Sequence, residues 1–394
     1  MNTLTAKRIT SIDLLRGLIM IIMALDHVRD YFHADAFLYD PLDLEKTSVA
    51  LYFTRWITHF CAPIFVLLAG TSAFLTGQRK TKKQLAFFLV TRGIWLMILE
   101  ETVVNFEWFF NIHFNFFIFG VIWVLGLCMI LLAALIFLPR NLLLIFGLIM
   151  VAGHNLLDKT VVLEHNAAGF IWGMLHEAKP FRIGQSNILE FYHVIPWVGV
   201  MALGYCLGSL FAKDFDPAKR KRILLRIGIS SWVLFIIIRS INVYGNLYPW
   251  TPQSTPIMTV LSFLKIHKYP PSLDYLLVTE GFALIFLSLT ENISNRLTKI
   301  ISVFGRVPMF YYLLHLILIH LGAMLAAVLT GYRWSDMVSF DQWITNLPRF
   351  KGYGFSLGTV YLIWIALVII LYPFCKWYDR YKSAHKEKWW LSYL

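Results

Sequence analysis

The sequence predicts an all-α, polytopic membrane helical bundle of about ten transmembrane helices, with both termini in the cytoplasm. Composition points there first: 58% of the residues are hydrophobic, 15% are charged, and the mean hydropathy is +0.64, values of a chain solvated by lipid rather than of a soluble domain. Apolar runs of spanning length recur throughout, about 20 residues of helix being enough to cross the hydrocarbon core. Lys and Arg gather in every second connection, the asymmetry of cytoplasmic loops. The formal net charge of +12 is therefore a set of topology signals, and no nucleic-acid partner is expected. Cys61, Cys128, Cys206 and Cys375 lie in or at the end of apolar runs without a CxxC pair, as small buried hydrophobes do. No repeat or linker divides the chain, so residues 1–394 are read as one membrane-embedded domain with a short basic N-terminus and a C-terminal tail.

The first span, IDLLRGLIMIIMALDHVRDYF (12–32), follows a polar, basic start and lacks a small-residue cleavage site, so it is expected to stay as a signal anchor. Further spans fall at about 50–77, 85–105, 114–138, 142–157, 188–212, 223–246, 273–290, 305–329 and 355–376. The fifth is short, and the ninth reads as a span preceded by a re-entrant or interfacial turn. If each span reverses the chain, Lys7 and Arg8, QRKTKK (78–83), Arg140, KDFDPAKRKR (213–222), Arg296 with Lys299, and the tail from Lys376 all share one side. The opposite connections are poorer in Lys and Arg, and HADAFLYDPLDLEK (33–46) is acidic, which places both termini inside. Three long outer loops, near 158–187, 247–272 and 331–354, carry text such as YPWTPQ (248–253) and KYPPS (268–272). They read either as a lid over a site or as interfacial Trp and Tyr anchors.

With this topology the ionisable residues of the spans take on depths. Asp26, His27, Arg29, Asp30, Arg55, His59, Glu100, Glu101, His154, Glu190, His193, Arg239 and Glu280 all fall in the outer halves, His315 and His320 near the middle, and Arg16 and Arg306 toward the cytoplasm. Charge at membrane depth is costly and marks wet cavities and reaction paths, whereas snorkelling side chains would spread to both interfaces. Arg16 and His27 are eleven residues apart, about three helical turns or ~16 Å, and return to nearly one face. His27 has Asp26 beside it and Asp30 at i+3, where a carboxylate can hold one ring nitrogen and leave the other free. General-base chemistry suits this set better than a serine nucleophile. Arg55 and His59, at i and i+4, share a face suited to an anionic or carbonyl group. His315 and His320, five apart in GRVPMFYYLLHLILIH (305–320), are offset by about 140° and make no two-ligand metal face. No metal is expected.

The residues resemble a known family. Ser11-x-Asp13-x-x-Arg16-Gly17, Pro63-x-Phe65-Val66 and Gly70-Thr71-Ser72, followed by FYHVIPWVGVMALGYCLG (191–208), KYPPSL (268–273) and FGRVPMFYYLLHLILIH (304–320), are similar to the catalytic domain of heparan-α-glucosaminide N-acetyltransferase, in its bacterial branch. The Arg16-to-His27 spacing is also similar to the Arg-x10-His signature of acyltransferase-3 membrane enzymes. The resemblance implies a bacterial inner-membrane acyltransferase that takes acetyl-CoA from the cytoplasm and an extracytoplasmic glycan or amino-sugar acceptor from outside. It implies Arg16 at the CoA phosphates and His27 at the reacting thioester and acceptor; Arg306, also toward the cytoplasm, is a second candidate for the CoA phosphates, and Asp30, with Asp26, for orienting His27. Arg55, His59, His193, His315 and His320 are candidate substrate contacts. The lysosomal relatives lack a histidine at the position of His27 and use one in the first outer segment, where this chain has His33; both remain candidates. A proton-coupled secondary transporter is the rival reading of the same polar cluster, and neither oligomeric state nor acceptor identity is legible.

Overall fold

The structure, a computed structural model, describes residues 9–162, 166–177, 180–343 and 347–392; Lys7 and Arg8, counted above among the cytoplasmic signals, lie outside them. The chain is about 70% helical. In order, α1 covers Thr10–Phe32, α2 Val49–Trp56, α3 Cys61–Gly77, α4 Lys82–Leu99, α5 Asn105–Phe109, α6 Val121–Leu135, α7 Arg140–Gly153, α8 Ala167–Leu175 and α9 Val194–Gly208. They are followed by α10 Pro217–Ile241, α11 Pro256–Leu264, α12 Leu273–Thr290, α13 Arg296–Arg306, α14 Pro308–Leu329 and α15 Leu357–Ala384. Among the described residues seven helical segments are long and apolar enough to cross a membrane: Val49–Gly77, Arg140–Leu157, Val194–Phe211, Pro217–Ile241, Leu273–Thr290, Pro308–Leu329 and Leu357–Ala384. Of the other three predicted spans, α6 has 15 residues, and α1 and α4 carry more charge than that criterion admits.

Two predicted spans differ from the expectation of helix throughout. Phe116–Phe119 (β1), Pro180–Ile183 (β2) and Ser186–Glu190 (β3) form a small sheet of order β1-β3-β2, with β1 parallel and β2 antiparallel to β3. The N-terminal ends of the spans at 114–138 and 188–212 are therefore strands, and their helices begin at Val121 and Val194. FFIF in β1 is a short aromatic and β-branched run of the kind that hydropathy alone cannot tell from helix. The ninth span does begin with a turn. α13 ends at Arg306, Val307 leaves helical geometry with φ −129° and ψ 50°, and Pro308 begins a continuous α14, as a residue without an N–H can at a helix start.

Helices cross closely where glycines meet. A Cβ on Gly17 would stand 2.0 Å from the Ile301 carbonyl oxygen of α13, and one on Gly305 1.9 Å from that of Asp13 in α1. Gly70 of α3 and Gly204 of α9 make the same kind of contact, at 2.1 Å from Met201 O and 2.2 Å from Leu67 O. Such small-residue crossings let backbones touch where lipid offers no hydrophobic drive to association. α1, buried along most of its length, is packed against α13, α14, α15 and α3.

The second span is locally irregular for a reason readable in its sequence. Pro63 has no N–H to return to the carbonyl of His59 four residues earlier, and that carbonyl instead accepts from the Tyr275 hydroxyl at 2.7 Å. The turn Ile57–Phe60 between α2 and α3 tightens to 3-10 geometry. Beyond α4, Glu100–Val104 widens into a π turn, a form common at functional sites. It carries the Glu100 carboxylate to the backbone N–H groups of Ile122 and Trp123 at the start of α6, whose N-cap Gly120 has no side chain to do this.

Candidate active site

One face of α1 builds the site. Arg16, Met20, Met23 and His27 recur at four-, three- and four-residue steps, so they form one line along the helix. The first three line a cavity of about 840 Å³, together with Phe65, Ser72 and Thr76 of α3, Leu89, Arg92 and Leu96 of α4, Leu125 and Met129 of α6, and Met309 and Tyr312 of α14. Its polar lining is cationic: Arg16, Lys80, Arg92, Arg306, Lys382, Lys386 and Lys388. Along α1 and α14 the cavity reaches Met23 and Tyr312, each about one turn short of His27 and His315.

Arg16 joins three of the sequence motifs. Its guanidinium donates to Ser72 Oγ and to the Gly305 carbonyl, both at 3.1 Å, and lies 3.6 Å from Asp13. The Gly17–Gly305 crossing places that carbonyl beside α1, and Thr71, next to Ser72, bonds the Gly204 carbonyl of α9 at 3.0 Å.

At the other end, His27 Nδ1 is 2.7 Å from His315 Nε2, with the rings stacked 5.0 Å apart. The proton positions follow from the partners. His315 Nδ1 lies 3.0 Å from the Tyr311 carbonyl, which can only accept, so a neutral His315 holds its proton on Nδ1 and offers the Nε2 lone pair. His27 then donates from Nδ1 and keeps a lone pair on Nε2. That nitrogen has no partner among the described residues and is not sealed in. Trp108 packs edge-on against His27 at 4.8 Å, and Tyr312 stands 6.4 Å away. Trp108 is itself held by its carbonyl, which accepts from the Tyr31 hydroxyl.

The carboxylates do something other than hold the His27 ring. Asp26 bridges Arg29 at 2.8 Å and Arg55 at 3.5 Å, and Asp30 pairs with Arg29. This corrects the expected geometry: the ring is held by a histidine from α14, and Asp26 and Asp30 neutralise a buried Arg29, only 3% exposed. An unpaired guanidinium there would be prohibitive.

The sequence pattern described as heparan-alpha-glucosaminide N-acetyltransferase, catalytic, matches residues 8–251. The chain belongs to this family. No curated protein matches it. The family match contains Arg16, His27, Arg55, His59 and His193, while Arg306, His315 and His320 lie beyond it.

Within this heparan-α-glucosaminide N-acetyltransferase-family chain the remaining predicted residues separate. Arg55 donates to Thr58 at 2.8 Å and belongs to the Asp26 cluster. His59 is fully buried, its ring nitrogens have no partner among the described residues, and it packs on Tyr275 at 5.4 Å. Arg306 lines the cavity but is held by Asp379 through Nε and Nη2 at 2.7–2.9 Å, which leaves less of it for a phosphate. His320 departs from the expectation of a substrate contact. Its nitrogens meet the carbonyls of Glu107 at 2.8 Å and Met337 at 2.6 Å, so it ties α14 to α5 and to the loop that follows α14. His193, at the N-terminus of α9, groups with His176 and His267. His33 accepts the Asp35 amide at Nδ1, 3.2 Å away, and burial lowers its pKa.

Lys80, Lys382, Lys386 and Lys388 read from sequence only as topology signals, and Arg92 and Trp108 carry no distinctive local pattern. Their role as lining depends on which helices meet.

Proposed function

We propose that the chain is an acetyl-CoA-dependent membrane acyltransferase that acetylates an amine or hydroxyl of an extracytoplasmic sugar. The observation that carries this reading is the cavity itself. A cationic mouth suits the phosphates of CoA, an apolar bore of this volume suits a slender acyl arm, and the inner end stops one turn below the free Nε2 of His27. The roughly 16 Å between Arg16 and His27 along α1 is the length such an arm has to cover. Ten crossings, with α1, α4 and α6 added to the seven apolar segments and both termini cytoplasmic, give the cavity a cytoplasmic mouth and His27 an outer position.

In this reading His27 Nε2 takes the acceptor proton as the acceptor nitrogen or oxygen bonds to the thioester carbonyl carbon and the carbon–sulfur bond breaks. The imidazolium is stabilised by the His315 lone pair and by nearby Asp26, then returns the proton to the departing thiolate, so that CoA leaves as the thiol. Arg55 and Asp26 set the charge around the reacting carbonyl, and Arg16 anchors the donor. No metal participates in this reading.

The test uses purified full-length protein with labelled acetyl-CoA and amino-sugar acceptors. Acetylated sugar is expected, and acetyl-CoA binding, read by calorimetry, should weaken by ~1.5–3 kcal/mol in Arg16→Ala through loss of a charge-assisted bond. Absence of transfer to every acceptor, or unchanged affinity in the folded variant, counts against the reading.

A further inference from the structure

Among the described residues Arg29, Arg239 and Lys268 are the buried Arg and Lys side chains, and Arg29 and Arg239 each face a carboxylate; Lys268 does not. It is 9% exposed, yet among the described residues it has no carboxylate within 4.0 Å and no hydrogen bond. Its partners are the rings of Tyr269 at 5.0 Å and Tyr192 at 6.0 Å. Ring faces attract a cation but leave its three N–H donors unanswered. The nitrogen is not among the sealed atoms, so the stem is enclosed while the tip keeps some exposure. Asp26, on which its charge acts together with His27 and His59, is already engaged by Arg29 and Arg55.

The turn that presents Lys268 is rigid. Ser272 N–H closes it on the His267 carbonyl at 2.9 Å, Asn246 accepts from His267 N–H at 2.7 Å, and the Pro271 carbonyl meets His154 Nε2 at 2.7 Å. Leu273 N–H donates to Asn155 at 2.9 Å. From Lys268 a line of rings leads to the base: Tyr269 to Phe191 at 5.1 Å, Phe191 to Trp343 at 5.0 Å, Trp343 to Trp108 at 5.7 Å and Trp108 to His27 at 4.8 Å. Aromatic faces are suited to the C–H face of a sugar ring, and a fixed ammonium at the wall is suited to an anion on it.

We propose that Lys268 is an anion subsite on the His27 side of the bundle and selects sugar acceptors that carry a carboxylate, sulfate or phosphate beside the group to be acylated. This rests on the acyl-transfer reading for its chemistry, but binding tests it independently. The probes are glucosamine and glucosamine 6-phosphate, titrated calorimetrically into the full-length protein with CoA present, alongside acetyl transfer to each. Wild-type protein should bind the phosphate at least tenfold more tightly; Lys268→Met should bring the two affinities to within about twofold, and Lys268→Arg should keep most of the preference. No preference in the wild type, an unchanged preference in Lys268→Met, or equal weakening of both probes would overturn the assignment. A Lys268-dependent preference without acetyl transfer would instead leave the subsite standing and sink the acyl-transfer reading.

Discussion

The identity of the working base turns on single nitrogen atoms. His27 has one nitrogen committed to His315 and one uncommitted, whereas His33 spends Nδ1 on a backbone amide in its own loop. His27→Ala should therefore cut turnover by about 10²–10⁴-fold with acetyl-CoA affinity nearly intact, and His33→Ala should have a far smaller effect. Steady-state kinetics on both variants decides it, and an inactive His33→Ala beside an active His27→Ala would transfer the role. His315 is a positioning residue: His315→Gln, whose amide oxygen can accept the same bond, should retain more turnover than His315→Leu, with KM for acetyl-CoA alike in both.

Helix crossings convert these atoms into a site. α1 and α13 touch backbone to backbone at Gly17 and Gly305, and this contact brings the Gly305 carbonyl to Arg16. A methyl group at residue 17 would stand 2.0 Å from Ile301 O, against main chain that cannot swing away. Overpacking of this kind costs typically 1–3 kcal/mol. Gly17→Ala should thus lower the unfolding temperature in detergent and raise KM for acetyl-CoA, since Arg16 moves with α1. A variant as stable and as tight-binding as wild type would show that the crossing does not set the donor site.

Taken across the whole bundle, the function proposed here needs the cationic cavity mouth and the His27 chamber on opposite sides of the membrane. Asp40 and Thr81 are exposed on the connections after α1 and α3. In a background without the native cysteines, Asp40→Cys should react with an impermeant thiol reagent added outside, and Thr81→Cys only after the cytoplasmic face is opened. The reverse pattern would put the acceptor chamber in the cytoplasm and end the transmembrane scheme.

Periodicity alone determined the helical class, the runs that became spans, and the shared face of Arg16 and His27, because hydropathy and the 3.6-residue turn act within one segment. The break before Pro308 follows from residue chemistry that is equally local. The partner of His27 lies 288 residues away, and no local rule could select His315 over the adjacent carboxylates. Asp26 and Asp30 went to Arg29 and Arg55 because two enclosed guanidiniums need two counter-charges, a need visible only once burial is known. Likewise the strands at Phe116 and Ser186 are strands because each finds the other, and the lysines of the cavity mouth become one surface only when α1, α3, α4, α14 and α15 meet. Tertiary structure decided these points, since pairing energies between distant segments are absent from any single stretch of the chain.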